Sequence, residues 1–151
     1  MKTARKLKIC NRLLGLTLIL MLASGIQLEA TAGSYAWSVW VHIGFGTLLT
    51  ILSIYHIYYH YRFSNWFARF AKNRNTTTRV LWWVFLLTVI SGFAATIQWL
   101  VENGHSPIGG VHGKIGFLMV IIAIIHAARH IRQRKQAKRA RVHSKDSSPR
   151  S

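Results

Sequence analysis

The stretch HIGFGTLLTILSIYHIYYHYR, residues 42–62, decides the fold of this chain because its pattern returns 70 residues later as HGKIGFLMVIIAIIHAARHIR, residues 112–132. The identities at that single offset include three histidines, one glycine and one arginine. Both stretches are too apolar for the surface helix of a soluble protein. The repeat predicts two equivalent membrane helices, and the equivalent positions are His42 and His112, Gly46 and Gly116, His56 and His126, His60 and His130, and Arg62 and Arg132.

The composition of the whole chain favours the same membrane class. Hydrophobic residues make up 51% of the 151 residues, and long uncharged runs separate the clusters of charge. The single cysteine, Cys10, excludes an internal disulfide and a cysteine-rich zinc or iron-sulfur site. No CxxCH motif is present, so any haem would be bound non-covalently, as in b-type cytochromes.

The uncharged runs predict an all-α integral membrane protein, a four-helix up-down-up-down bundle with an internal two-helix repeat. The first run could instead belong to a signal peptide of residues 1–32. Its Ser24-Gly25 pair has a counterpart, Ser91-Gly92, in the third run, which favours a retained helix. We expect helices at about residues 13–29, 36–61, 80–101 and 108–130, a basic N-terminus at residues 1–12, and a basic, disordered tail at residues 133–151.

The distribution of positive charge predicts the orientation. Of the twenty Lys and Arg residues, 5 lie in residues 1–12, 5 in residues 62–79 and 9 in residues 129–151, whereas the two other connections contain none. The positive-inside rule then places both termini in the cytoplasm. The net charge of +17 therefore indicates contact with anionic lipids, and we do not expect nucleic-acid binding.

The histidines form the candidate site. In this topology the second and fourth helices are parallel, so His42 and His112 share one depth, while His56 and His126, 14 residues or about 21 Å further along, share another. Paired imidazoles suit six-coordinate haem iron in electron transfer. We predict two non-covalent haem b groups, one ligated by each pair.

Neighbouring residues leave several assignments open. Gly46 and Gly116 would let a flat macrocycle approach the backbone or would simply allow close helix packing. Lys114 could pair with a haem propionate or extend towards the headgroups without a partner. His60 and His130 lie one turn beyond the inner ligands and could replace them, or meet propionates or a quinone. A metal or proton path through the same histidines is a further alternative.

The two segments WVHIGFGTLLTILSIYHIYYHYRF and VHGKIGFLMVIIAIIHAARHIR resemble the paired haem-binding helices of bacterial two-haem cytochrome b proteins. The small four-helix layout, with Ser-Gly near the outer end of helices one and three, resembles more narrowly the flavinylation-associated cytochrome family. The resemblance covers residues 13–132. It implies that His42, His112, His56 and His126 are haem ligands in an electron conduit of the bacterial plasma (inner) membrane. This conduit would serve an extracytoplasmic flavoprotein with covalent flavin.

The expected role is that of an electron-transfer subunit rather than a stand-alone oxidoreductase. Another redox subunit or a quinone could take the place of the flavoprotein, and a homodimer is a further expected assembly. A haem-free membrane sensor or assembly factor is the alternative from a different functional class.

Overall fold

The chain forms four α-helices in a computed structural model that describes residues 2–31, 33–61, 76–102 and 107–146. The described residues contain no strand. The predicted all-α four-helix architecture is therefore confirmed. The helices are α1 (Lys2–Ala30), α2 (Ala36–Tyr61), α3 (Thr76–Val101) and α4 (Pro107–Asp146).

Each helix contains a segment that is long and apolar enough to cross a membrane. These segments have 24 to 31 residues and therefore measure about 36–47 Å, against a hydrocarbon core of about 30 Å. The chain is a multi-pass membrane protein. The segments are Arg5–Ala30, Ala36–Tyr59, Thr76–Val101 and Pro107–Ala137.

The exposed surface of the bundle is apolar. Phe93 is 70% exposed, Ile19 66% and Ile90 64%, and many other large hydrophobic side chains also point outward. A contiguous apolar exterior of this kind is unfavourable in water and is the surface that lipid chains cover. Small polar side chains are buried instead, namely Thr17, Ser24, Ser38 and Thr88.

The helices associate as two antiparallel pairs, α1 with α2 and α3 with α4, and α1 also contacts α4. A short turn joins the first pair. Gly33 adopts a φ of 68°, a left-handed conformation that glycine tolerates without strain, and its N–H donates to the Leu28 carbonyl at 3.0 Å. This turn ends α1 and reverses the chain into α2.

Polar contacts hold the second pair at both ends. The Gln98 side-chain carbonyl accepts a hydrogen bond from the N–H of Ile108 at 3.1 Å and so satisfies a donor at the start of α4. At the opposite end, the Arg129 guanidinium donates to the Thr77 hydroxyl. These contacts fix α3 and α4 as antiparallel neighbours.

Two helix bounds correct the sequence prediction. Helix α4 continues to Asp146 instead of ending near residue 130, so residues 133–146 of the tail expected to be disordered are helical; residues 147–151 lie outside the described ranges. Helix α1 likewise begins at Lys2 rather than near residue 13. Lys, Arg and Ala favour helix in both segments, Gln adds to them in the second, and neither Gly nor Pro interrupts either segment. An apolar helix already formed can propagate into such sequence without new nucleation.

Candidate functional site

His42 and His112 meet between the N-terminal parts of α2 and α4. The centres of their rings are 6.2 Å apart and the ring planes are nearly perpendicular, at 79°. Both side chains are half-buried. Nearby, the rings of Trp40 and Trp99 stack edge to face at 5.9 Å and connect α2 to α3. The structure thus brings together the two histidines that the repeat placed at one depth, and their role as ligands stays a prediction.

A serine from α1 contacts Nδ1 of His42, and the second hydrogen bond of its hydroxyl favours one tautomer of the ring. The Ser24 hydroxyl donates to the Met21 carbonyl at 2.9 Å, and the same oxygen lies 2.9 Å from His42 Nδ1. A hydroxyl has one proton. Because the carbonyl takes it, the serine oxygen accepts from an Nδ1–H group, and the lone pair of the neutral ring is on Nε2.

The same arrangement recurs at His112. The Ser91 hydroxyl donates to the Thr88 carbonyl at 3.2 Å, and its oxygen lies 3.1 Å from His112 Nδ1. By the argument applied to His42, His112 carries its proton on Nδ1 and its lone pair on Nε2. The two halves of the repeat therefore prepare two imidazoles in the same tautomer, each from the helix that precedes the histidine.

Glycine follows each serine and faces the ring that the serine holds. A Cβ atom added at Gly92 would lie 2.8 Å from His112 Cε1 and 3.2 Å from Nδ1, closer than real Cβ contacts allow. A Cβ added at Gly25 would lie 3.4 Å from His42 Cε1, at the near limit of ordinary van der Waals contact. The Ser-Gly pair thus combines a hydrogen-bond acceptor with the space that the imidazole needs.

The other glycines of the repeat have different surroundings. A Cβ at Gly46 would lie 3.3 Å from Met21 Cε, and one at Gly116 would lie 3.9 Å from Thr88 Cγ2. These two glycines therefore face the partner helix within their own pair, which is the contact of the helix-packing interpretation. Added Cβ atoms at Gly44 and Gly113 would have no atom within 4 Å.

The second histidine pair lies further along the same helices. Nδ1 of His56 is 2.9 Å from Asn11 Oδ1, and since that oxygen can only accept, His56 also carries its proton on Nδ1. His126 is half-buried, and its ring centre is 4.6 Å from that of the exposed His130. The side chain of His60 lies outside the described residues. On burial, His126 is better placed than His130 for a cofactor within the bundle.

The distance between the ring centres of His42 and His112 can be compared with the distance expected for two imidazoles bound to one iron. A bond from an imidazole nitrogen to a bound metal is about 2.0–2.1 Å long, and the ring centre lies about 1.2 Å beyond that nitrogen. Two imidazoles on opposite sides of one ion therefore have ring centres about 6.4 Å apart. The observed 6.2 Å agrees with this value. The separation of the two ring centres is therefore compatible with imidazoles on either side of one iron, and haem binding stays a prediction.

Other expected contributors are less enclosed. Lys114 is exposed on α4, two residues beyond His112. Within the described part of the chain, no group of three or more His, Cys, Asp or Glu side chains is arranged to hold a metal ion.

The sequence alone did not reveal the hydrogen-bond partners of the histidines. In the sequence, the Ser24-Gly25 and Ser91-Gly92 pairs mark the repeat and the family resemblance, and nothing in the pattern singles out Asn11. Their recurrence at matching places was a usable signal for the serines, because a polar side chain inside a membrane helix needs a partner. Asn11 has no such counterpart and could be found only in the structure.

Comparison with known proteins adds no relative: no protein-family model, curated protein or solved structure matches the chain. The functional argument accordingly rests on the chain's own residues and their geometry.

Proposed function

We propose that this protein carries electrons across a membrane through two non-covalent b-type haems. The observation that supports this most directly is the His42 and His112 pair, two imidazoles on separate helices at a distance suited to one iron, each hydrogen-bonded through Nδ1. A histidine at membrane depth is costly and usually functional. Two imidazoles in the same tautomer are suited to bind one haem iron as its two protein ligands.

The proposed haem ligands and the residues that orient them lie on different helices. Helices α2 and α4 carry the histidines, and α1 and α3 carry the serines that orient the first pair. His56 and His126 would hold the second group, with Asn11 orienting His56. Bound haem would supply a one-electron iron couple, and two imidazole ligands would leave no coordination position for oxygen chemistry.

The apolar exterior of the helices sets the environment of this site. Lipid on the outside and packed helices on the inside keep bulk water from the His42 and His112 rings, which favours neutral imidazoles over charged ones. The threonine hydroxyls of the same helices bond to their own backbone, as Thr50 does to the Gly46 carbonyl at 2.8 Å. Polar groups are thus satisfied locally, and the histidine nitrogens remain the groups suited to a ligand role.

The proposal includes an orientation and a setting. By the positive-inside rule, the excess of basic residues at both termini and in the segment between α2 and α3 supports a cytoplasmic location for these parts, against anionic lipid. The setting that we propose is a bacterial plasma membrane. The His42 and His112 pair then faces the outer side. An outer flavoprotein, another redox subunit or a quinone would complete the electron path.

Electron transfer across vesicles tests the function. Purified protein is reconstituted into liposomes that enclose ferricyanide, dithionite is added outside, and the loss of ferricyanide absorbance is followed. We expect vesicles with the wild-type protein to bleach much faster than empty vesicles. We expect His112→Ala to lose this acceleration and to contain one haem per chain instead of two by pyridine haemochrome assay.

The matched control is His143→Ala, which removes a histidine from the basic tail and should leave both the rate and the haem content unchanged. Haem-loaded wild-type protein that bleaches ferricyanide no faster than empty vesicles would exclude transmembrane transfer. Protein purified without haem that cannot bind added haemin would instead favour the sensor or assembly role.

A further inference from the structure

Ser24 and Ser91 are the two polar side chains of α1 and α3 that contact the first histidine pair, although these helices carry none of the four histidines assigned as ligands. Ser24 is 7% exposed, and Ser91 is half-buried. Each hydroxyl makes two contacts: it donates to a carbonyl three residues earlier and accepts from a histidine on the next helix. This arrangement, in which the histidine Nδ1, the serine oxygen and a helix carbonyl oxygen are joined by two hydrogen bonds, therefore occurs twice. It is called the relay below.

We propose that Ser24 and Ser91 are positioning residues that hold His42 and His112 with Nδ1 protonated and Nε2 available for iron. This inference rests on the proposed function and deepens it by assigning the control of the ligands to helices α1 and α3. The opposite tautomer would require each serine to donate its proton to Nδ1. Its bond to the helix carbonyl would then be lost, so the relay selects one tautomer.

The relay also affects the electron density of the ligand. An imidazole whose Nδ1–H donates to an oxygen is a more basic ligand at Nε2. Because a more basic ligand stabilises ferric iron, removing the acceptor should move the midpoint potential of that haem to a more positive value. Loss of such an orienting partner typically lowers metal affinity or activity about 10–100-fold.

The second histidine pair provides an internal reference. His56 is oriented by the amide oxygen of Asn11, about four turns away from Ser24 along α1. A change at Ser24 or Ser91 should therefore alter one haem and leave the other as it was. A general loosening of the bundle would alter both.

The test uses the full-length, haem-loaded protein with Ser24→Ala and Ser91→Ala. We expect each variant to show a positive shift in the potential of one haem, an unchanged potential of the other, and about 10–100-fold weaker haemin binding at the affected site. Ser24→Thr and Ser91→Thr restore the hydroxyl and should return the potential towards that of the wild type.

Ser38→Ala is the matched control, because Ser38 is also buried but its hydroxyl donates to the Tyr35 carbonyl at the start of α2. It should change neither potential. Wild-type potentials and haemin affinity in both Ser→Ala variants would overturn the positioning role, and so would equal shifts of both haems. Absence of haem from the wild-type protein would refute the proposed function itself, which makes the two failures distinguishable.

Discussion

Replacing Gly92 with alanine distinguishes between two roles of His112, namely binding haem and merely packing in the bundle. The added methyl group points at the imidazole, with its carbon 2.8 Å from Cε1 and 3.2 Å from Nδ1. The backbone has little freedom to withdraw, because it is inside α3 and the Gly92 carbonyl accepts a bond from the Thr96 hydroxyl at 2.8 Å. The ring must therefore move.

The required movement can be worked out from the same distances. Ordinary contact begins near 3.4 Å, so Cε1 of His112 has to recede by about 0.6 Å from its position at 2.8 Å. Functional constellations tolerate displacements of about 0.5 Å. Overpacking of this kind costs about 1–3 kcal/mol, which corresponds to about 5–150-fold weaker haem binding.

A ring without a ligand role would respond differently. It could turn away from the methyl group and lose its bond to Ser91, at a cost of about 0.5–1.5 kcal/mol. The replacement of a helical glycine by alanine would stabilise the helix by about 1 kcal/mol and so offset this cost. The stability of the haem-free protein should thus change little.

The assay is haemin titration of purified Gly92→Ala together with its thermal unfolding. We expect one of two haem sites to weaken by the stated factor, while Gly25→Ala, with its contact of 3.4 Å to His42, has a smaller effect. Gly15→Ala is the control, since a Cβ there meets no atom within 4 Å. Unchanged haemin affinity of Gly92→Ala at both sites would refute the assignment of His112 as a ligand.

Three further predictions concern other parts of the chain. His56→Ala should remove one haem per chain in the pyridine haemochrome assay while His60→Ala retains both; the reverse pattern would make His60 the inner ligand. Gln98→Leu removes the acceptor for the Ile108 N–H and should lower the stability in detergent by about 0.5–2 kcal/mol, and an unchanged unfolding temperature would contradict this capping role. A reporter that is active only outside the cytoplasm should be inactive when fused after Ser151, and activity there would reverse the proposed orientation.

The repeat explains why part of the site could be predicted from sequence. An offset of 70 residues relates His42 to His112, and two parallel copies of one helix place equivalent residues at one depth whatever their packing. That symmetry predicts the shared depth of the two rings. Their meeting, and the partners Ser24 and Asn11, also depend on how each helix is rotated about its axis, and the apolar pattern is too uniform to fix that rotation.

The helix ends were predicted less well for a different reason. Charge was taken to mark the end of a helix, whereas it marks only the end of the membrane segment. In the stretch from Arg132 to Asp146 the residues are good helix formers, so α4 continues beyond the apolar run. By contrast, α1 ends before Gly33 because the left-handed backbone of this glycine turns the chain, although no charge cluster marks the end of the helix there.

The most direct test of the central claim is the haem content of the wild-type protein, measured together with its reduced-minus-oxidised spectrum after purification from membranes supplied with haem. The account predicts a b-type spectrum and two non-covalent haems per chain. A protein that shows no b-type band and binds no added haemin would contradict it.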